Sequence, residues 1–153
     1  MVKGILFDWV GVLVMPTSLE GIQSTNSPEE IVDSLEIYQP LWDILPALQE
    51  KFALCCVNNG PMKTISYFEA KFGISAYMPF VNSEQEGMMK PYPEIYRRAC
   101  ALIEVDTFEV IYLDDSGPEL PSETLDLGMN FIHWPDPESG FAKFEQALID
   151  SGF

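Results

Sequence analysis

Four ionisable side chains in three separated stretches have the types needed for chemistry on an anionic centre. Asp8 ends the apolar run Gly4-Ile5-Leu6-Phe7 and is followed by Trp9-Val10-Gly11. Lys90 stands in Met89-Lys90-Pro91-Tyr92-Pro93-Glu94, and Asp114-Asp115-Ser116 follows Glu109-Val110-Ile111-Tyr112-Leu113. A carboxylate where a buried strand opens into a glycine turn is well placed to meet a ligand, because ligands of parallel α/β sheets sit beyond the strands' carboxyl ends. Three carboxylates brought together repel, and one lysine is too little to compensate them. A divalent cation would complete the neutralisation, polarise a substrate and orient it in line with Asp8.

The elements that must position these residues alternate along the chain. Short apolar runs at Ile5 to Phe7, Ala53 to Val57, Phe80 to Asn82, Val110 to Leu113 and Asn130 to His133 read as strands. Between them the periodicity is helical, which predicts right-handed crossovers and a parallel sheet covered by helices on both faces. Ser27 caps a helix at Pro28-Glu29-Glu30, a second helix begins near Pro40, and Gly60-Pro61 starts a third with the apolar stripe Met62, Ile65, Phe68, Phe72. Pro93 opens a fourth, with Ile95, Tyr96, Ala99, Leu102 and Ile103 expected inward. Pro135 to Gly140 reads as a turn, with the last helix over Phe141 to Ile149. The polar, turn-rich stretch 15–26 within the interval 15–39 suggests a mobile loop over the site, and no linker marks a boundary, so residues 1–153 read as a single domain.

The stretches around Asp8, Lys90 and Asp114 resemble motifs one, three and four of the haloacid dehalogenase superfamily, most closely its phosphatase-like branch, and the resemblance covers nearly the whole chain. It implies a Rossmann-like α/β fold with a parallel five-stranded sheet of order 3-2-1-4-5 and a cap domain reduced to 15–39 or absent. It also implies that Asp8 is the nucleophile that attacks phosphorus, and that Mg²⁺ is held by Asp8, Asp114 and the Val10 carbonyl. Asp115 would then hold a metal-bound water or Lys90, while Lys90 neutralises the nucleophile and the phosphoryl oxygens. Oxygen ligands with several waters are what Mg²⁺ prefers. Asn59-Gly60 matches the family's usual Asn-Gly after motif two, which brings the Asn59 backbone amide and the first turn after Pro61 close to a phosphoryl group.

Two positions depart from that pattern. Asn58 replaces the family's Ser or Thr; its amide can donate to a phosphoryl oxygen, and it can equally serve as a turn or cap residue. Val10 replaces the second Asp of Asp-x-Asp, the group that protonates the leaving oxygen and then activates water, and valine has no proton to give. Three readings follow. The first is a Mg²⁺-dependent phosphohydrolase or phosphotransferase acting weakly on a small phosphorylated substrate through an aspartyl-phosphate on Asp8. The second is a catalytically silent relative that binds phosphate or a protein. The third is a hydrolase of the dehalogenase or phosphonatase kind, which Val10 permits and the Asp114-Asp115 pair discourages.

Composition narrows the partners. A formal charge of -16 disfavours nucleic acid and anionic membranes, and no apolar stretch approaches a membrane span. Three cysteines, two of them the neighbours Cys55 and Cys56 alternating outward and inward along a strand, cannot make a disulfide framework, so a reducing cytoplasm is expected. His133, the single histidine, follows the fifth strand and reads as a partly buried structural residue remote from motifs one and four.

Overall fold

A computed structural model describes residues 1–153. Five parallel strands form the central sheet: β1 (Gly4–Phe7), β4 (Ala53–Asn58), β5 (Phe80–Asn82), β6 (Val110–Asp114) and β7 (Asn130–His133), in the order β5-β4-β1-β6-β7. Counting these strands alone along the chain, that is the expected order 3-2-1-4-5. β4 and β6 each run one residue further than their apolar runs, because Asn58 pairs with Asn82 and Asp114 with His133 in the ladders. The carboxyl ends of β1 and β6, in register at Phe7 and Leu113, therefore lie side by side where the winding direction reverses.

Each face of the sheet carries its own apolar cluster. One gathers Phe7, Trp9, Leu41, Leu45, Phe68 and Phe144, the other Leu6, Val57, Ile95, Tyr96, Ala99 and Tyr112. Cys56 belongs to the first and Cys55 to the second, so the expected outward-facing cysteine is buried too. A strand covered on both faces hides both sides of its alternation. All three cysteines are unpaired and buried, and no helix is long and apolar enough to cross a membrane.

The helices are α1 (Pro28–Asp33), α2 (Gln39–Lys51), α3 (Ile65–Phe72), α4 (Ser83–Glu86), α5 (Pro93–Leu102), α6 (Ser122–Leu125) and α7 (Pro137–Asp150). Ser27 and Glu30 form a reciprocal capping box at α1. Two stripe positions differ from expectation. Met62 is half exposed because the chain makes a 3-10 turn over Met62–Thr64 before α3, which rotates it off the α-helical face, and Leu102 is exposed at the last turn of α5. The supposed turn through Gly140 is the first turn of α7, with Asp136 as N-cap accepting from the Ser139 amide and Pro137 at its start. Gly140 lies against the buried Trp134 ring, where a Cβ would collide.

The interval 15–39 holds α1 between two short strands, β2 (Val14–Pro16) and β3 (Leu35–Ile37), paired antiparallel. Two lysines tie it to the body. Lys63 Nζ donates to the Ser24 and Asn26 carbonyls at 3.0 and 2.8 Å, and Lys71 Nζ to the Val32 and Leu35 carbonyls at 2.9 Å each. Cations at exposed chain carbonyls hold a loop at little global cost when lost. Lys63→Met should therefore speed amide exchange and proteolytic cleavage over residues 19–26 while lowering global stability by no more than about 1 kcal/mol. Hydrogen-exchange mass spectrometry alongside urea denaturation reads both.

Candidate functional site

Asp8 leaves β1 and Asp114 ends β6, so the parallel register brings both to one sheet edge, 5% and 2% exposed. Lys90, on the loop before α5, reaches between them: its Nζ donates to Asp8 Oδ1 at 2.7 Å and to Asp114 Oδ2 at 2.8 Å. The loop is aimed by its backbone. Asn59 Oδ1 accepts from the Lys90 amide at 2.8 Å, Asn59 Nδ2 donates to the Lys90 carbonyl at 3.0 Å, and buried Thr124 donates to the Pro91 carbonyl. The Asn59 side chain is thus committed to Lys90, which leaves its backbone amide for any ligand contact.

The remaining hydrogen bonds sort the carboxylate oxygens. Asp8 Oδ1 also accepts from the Trp9 amide at 2.8 Å, and neither of these bonds uses Oδ2. Asp114 Oδ1 accepts from the Ser116 amide at 2.8 Å, and its Oδ2 takes a second donor, the Tyr112 hydroxyl. Tyr112 in turn accepts from the Tyr96 hydroxyl at 3.1 Å. This buried tyrosine pair had a signal in the sequence: Tyr112 is two residues before Asp114, hence on the same face of β6.

Asp115 lies nearer solvent and packs onto Gly11, whose φ of +99° suits glycine and whose Cβ, if present, would overlap the Asp115 carboxylate. Gly11 thereby lets Asp115 close on Asp8. One oxygen from each of Asp8, Asp114 and Asp115 lies within 4.8 Å of the others. Burial pushes the Asp8 carboxyl well above the usual carboxylate range; Lys90 pulls it down, while Asp114 and Asp115 push it further up. Burial acts on Asp114 in the same sense, but Lys90 and the bonds from Tyr112 and the Ser116 amide outweigh it and hold Asp114 below its ordinary value. Burial works against the Lys90 ammonium, and the two aspartates overcome it. Three carboxylates facing one ammonium leave negative charge uncompensated. An all-oxygen donor set with that spacing fits a small hard divalent cation such as Mg²⁺.

Asp8, Val10, Asn58, Asn59, Lys90, Asp114 and Asp115 all line one cavity of about 730 Å³. Hydrogen bonds of the turn after Asp8 run to the Trp9 and Val14 carbonyls and leave the Val10 carbonyl free. Asn58 is 7% exposed at the end of β4, and no side-chain hydrogen bond joins it to the rest of the protein. In the turn after it, Gly60 donates to Ser83 Oγ at 3.1 Å and Met62 to Glu84 Oε2 at 3.2 Å, so of the amides expected near a phosphoryl group that of Met62 is already occupied. Asn82 supports the same turn through the Gly60 carbonyl. His133 sits closer than expected, paired in register with Asp114, with Nε2 3.3 Å from the Asp115 carbonyl oxygen. The ladder between β6 and β7 brings it there, and it contacts backbone without lining the cavity.

The tyrosine pair makes a quantitative expectation. Tyr112→Phe leaves Asp114 Oδ2 with Lys90 alone and strands the buried Tyr96 hydroxyl, a loss of about 1–3 kcal/mol. Tyr96→Phe should cost less, and the double variant should cost less than the sum of the two, because one substitution already breaks the chain. Urea denaturation of the four proteins measures the cycle; strict additivity would mean that the hydroxyls act independently.

No family model matches the chain. Over 116 residues, 72% of its length, it is 30% identical to the bifunctional epoxide hydrolase 2 of Rattus norvegicus, and it spans about a fifth of that protein (21%). A HAD family enzyme from Bacteroides thetaiotaomicron, solved in complex with magnesium and inorganic phosphate, superposes with a TM-score of 0.68 at 18% identity, covering 87% of this chain and 94% of that one. A 2-haloacid dehalogenase from Pseudomonas syringae superposes with a TM-score of 0.65 at 15% identity, covering 87% and 86%. The sheet order, the switch-point site and these superpositions agree: the chain has the haloacid dehalogenase superfamily fold.

Proposed function

We propose that the chain is a Mg²⁺-dependent phosphotransfer enzyme of the cytoplasm that forms an aspartyl-phosphate on Asp8 and hydrolyses it slowly. The observation that carries this reading is Lys90 held between two buried aspartates, with Asp115 closing the third side of the same cavity. Bound by Asp8, Asp114 and the Val10 carbonyl, with Asp115 acting through water, Mg²⁺ supplies the positive charge that neutralises phosphoryl oxygens.

The chain's own groups account for the rest. Asp8 Oδ2, free of the bonds that occupy Oδ1, attacks phosphorus; the bond from phosphorus to the leaving oxygen breaks, and that oxygen takes its proton from solvent. Lys90 holds Asp8 in its attacking orientation and offsets the charge of the incoming group. Asn58 offers its uncommitted amide to a phosphoryl oxygen. In the second step water attacks phosphorus, the bond to Asp8 breaks and phosphate leaves. No residue at position 10 can take the proton of that water, so a step normally assisted by a general base slows by roughly a hundredfold or more.

Val10 also favours a second reading, a silent relative that binds a phosphorylated ligand without turnover. A hydrolase of the dehalogenase or phosphonatase kind is less well supported, since Asp114 and Asp115 converge on Asp8 as a cation site would require. Acetyl phosphate with Mg²⁺ separates the first two. Intact mass should reveal one phosphoryl group on the wild type and none on Asp8→Asn, and Val10→Asp should hasten its decay by on the order of a hundredfold. Absence of any adduct on a folded, Mg²⁺-bound protein favours the silent relative.

A further inference from the structure

The cavity is unequal in charge. Of the chain's eight lysines and arginines, Lys90 alone lines it, and its ammonium already serves Asp8 and Asp114. Lys63, at the edge of the same region, spends its ammonium on the Ser24 and Asn26 carbonyls. Besides Asp8, Asp114 and Lys90, the charged residues of the lining are Asp115 and Glu119, both negative. Val10, Ile22, Ile31 and Phe68 give the cavity an apolar side, Leu120 adds an apolar residue from the other cluster, and Ser24, Thr64 and Ser116 are neutral polar groups in the same lining. Ile31, Phe68 and Leu120 are buried, whereas Ile22 belongs to the segment that Lys63 pins down and is half-buried.

From this lining we infer that the substrate carries a single phosphoryl group on an uncharged, apolar body, and that Ile22 is a specificity-determining residue. The inference rests on the phosphotransfer reading and deepens it. A phosphoryl group at Asp8 uses the cavity's whole positive complement, Lys90 and the cation. A second anionic group on the substrate would be desolvated without a partner and repelled by Asp115 and Glu119. An aryl or alkyl body would bury its surface against Val10, Ile22 and Phe68. Val10 contributes to the selection as well as to the slow second step, because it puts an apolar side chain in the lining where the resemblance would place a carboxylate.

Matched aryl phosphates test the inference without confounding it with leaving-group reactivity. Phenyl phosphate and carboxyphenyl phosphate release similar phenols and differ by one negative charge, and acetyl phosphate carries no aryl body. Labelling of Asp8 with Mg²⁺ is followed by quenching and intact mass in wild type and Ile22→Lys, with circular dichroism to establish that the variant folds. Wild type should be labelled about tenfold or more faster by phenyl than by carboxyphenyl phosphate. Ile22→Lys should narrow or reverse that ratio. Normal labelling by acetyl phosphate, with equal rates for the two aryl phosphates or an unaltered ratio in Ile22→Lys, would overturn the inference and leave the phosphotransfer reading standing. No labelling by any of the three would remove that reading, and the inference with it.

Discussion

Everything at the carboxyl edge of the sheet depends on one lysine held between two buried aspartates. Burying Asp8 or Asp114 alone would cost several kcal/mol of lost hydration or force the carboxyl neutral. Lys90 makes their joint burial possible, and the protein devotes much of its local structure to keeping it there: the two-way bond from Asn59, the bond from Thr124 to the Pro91 carbonyl, and the Tyr96–Tyr112 pair that shares Asp114 Oδ2. The same arrangement is incomplete in charge. With Asp115 pressed against Gly11, the cluster holds more negative charge than one ammonium can satisfy, which is the electrostatic reason to assign it a divalent cation.

Much of this was legible beforehand because the fold's signals are local. Buried parallel strands are short apolar runs whatever lies around them, and Asp8 and Asp114 stand at their ends, where sheet topology brings ligands. What escaped notice depends on contacts distant in sequence. Gly11 reads as an ordinary turn glycine until Asp115, more than a hundred residues later, is found where its Cβ would be. The role of the Asn59 side chain in holding the Lys90 backbone, and that of Lys63 in holding the Ser24 and Asn26 carbonyls, likewise join residues far apart in the chain. His133 seemed remote because sequence distance hides the pairing of β6 with β7. Met62 was misjudged for a different reason: an α-helical period was applied across residues that form a 3-10 turn.

The two departures from the family pattern act differently on the site. Asn58 keeps hydrogen-bonding capacity in a buried place with no internal partner, so under the phosphotransfer reading it can still donate to a phosphoryl oxygen. Val10 removes a proton-transfer group and adds apolar surface beside Ile22 and Phe68. Under the phosphotransfer reading, one residue thus lengthens the life of the covalent state and favours an uncharged substrate body. The short segment between β2 and β3, tied down by Lys63 and Lys71, supplies Ile22 and Ile31 to the cavity lining.

The central claim, that the three aspartates around Lys90 hold a divalent cation, is tested most directly by Mg²⁺-dependent stability. A ligand bound only by the folded protein raises its stability by mass action, by about 2.7 kcal/mol at a hundred times the dissociation constant. Thermal unfolding of wild type and Asp114→Asn across a Mg²⁺ titration, at constant ionic strength, should give a midpoint that climbs with Mg²⁺ in the wild type and stays flat in the variant. Parallel rises in the two proteins would contradict the account, because the stabilising cation would then be bound somewhere other than between Asp8 and Asp114.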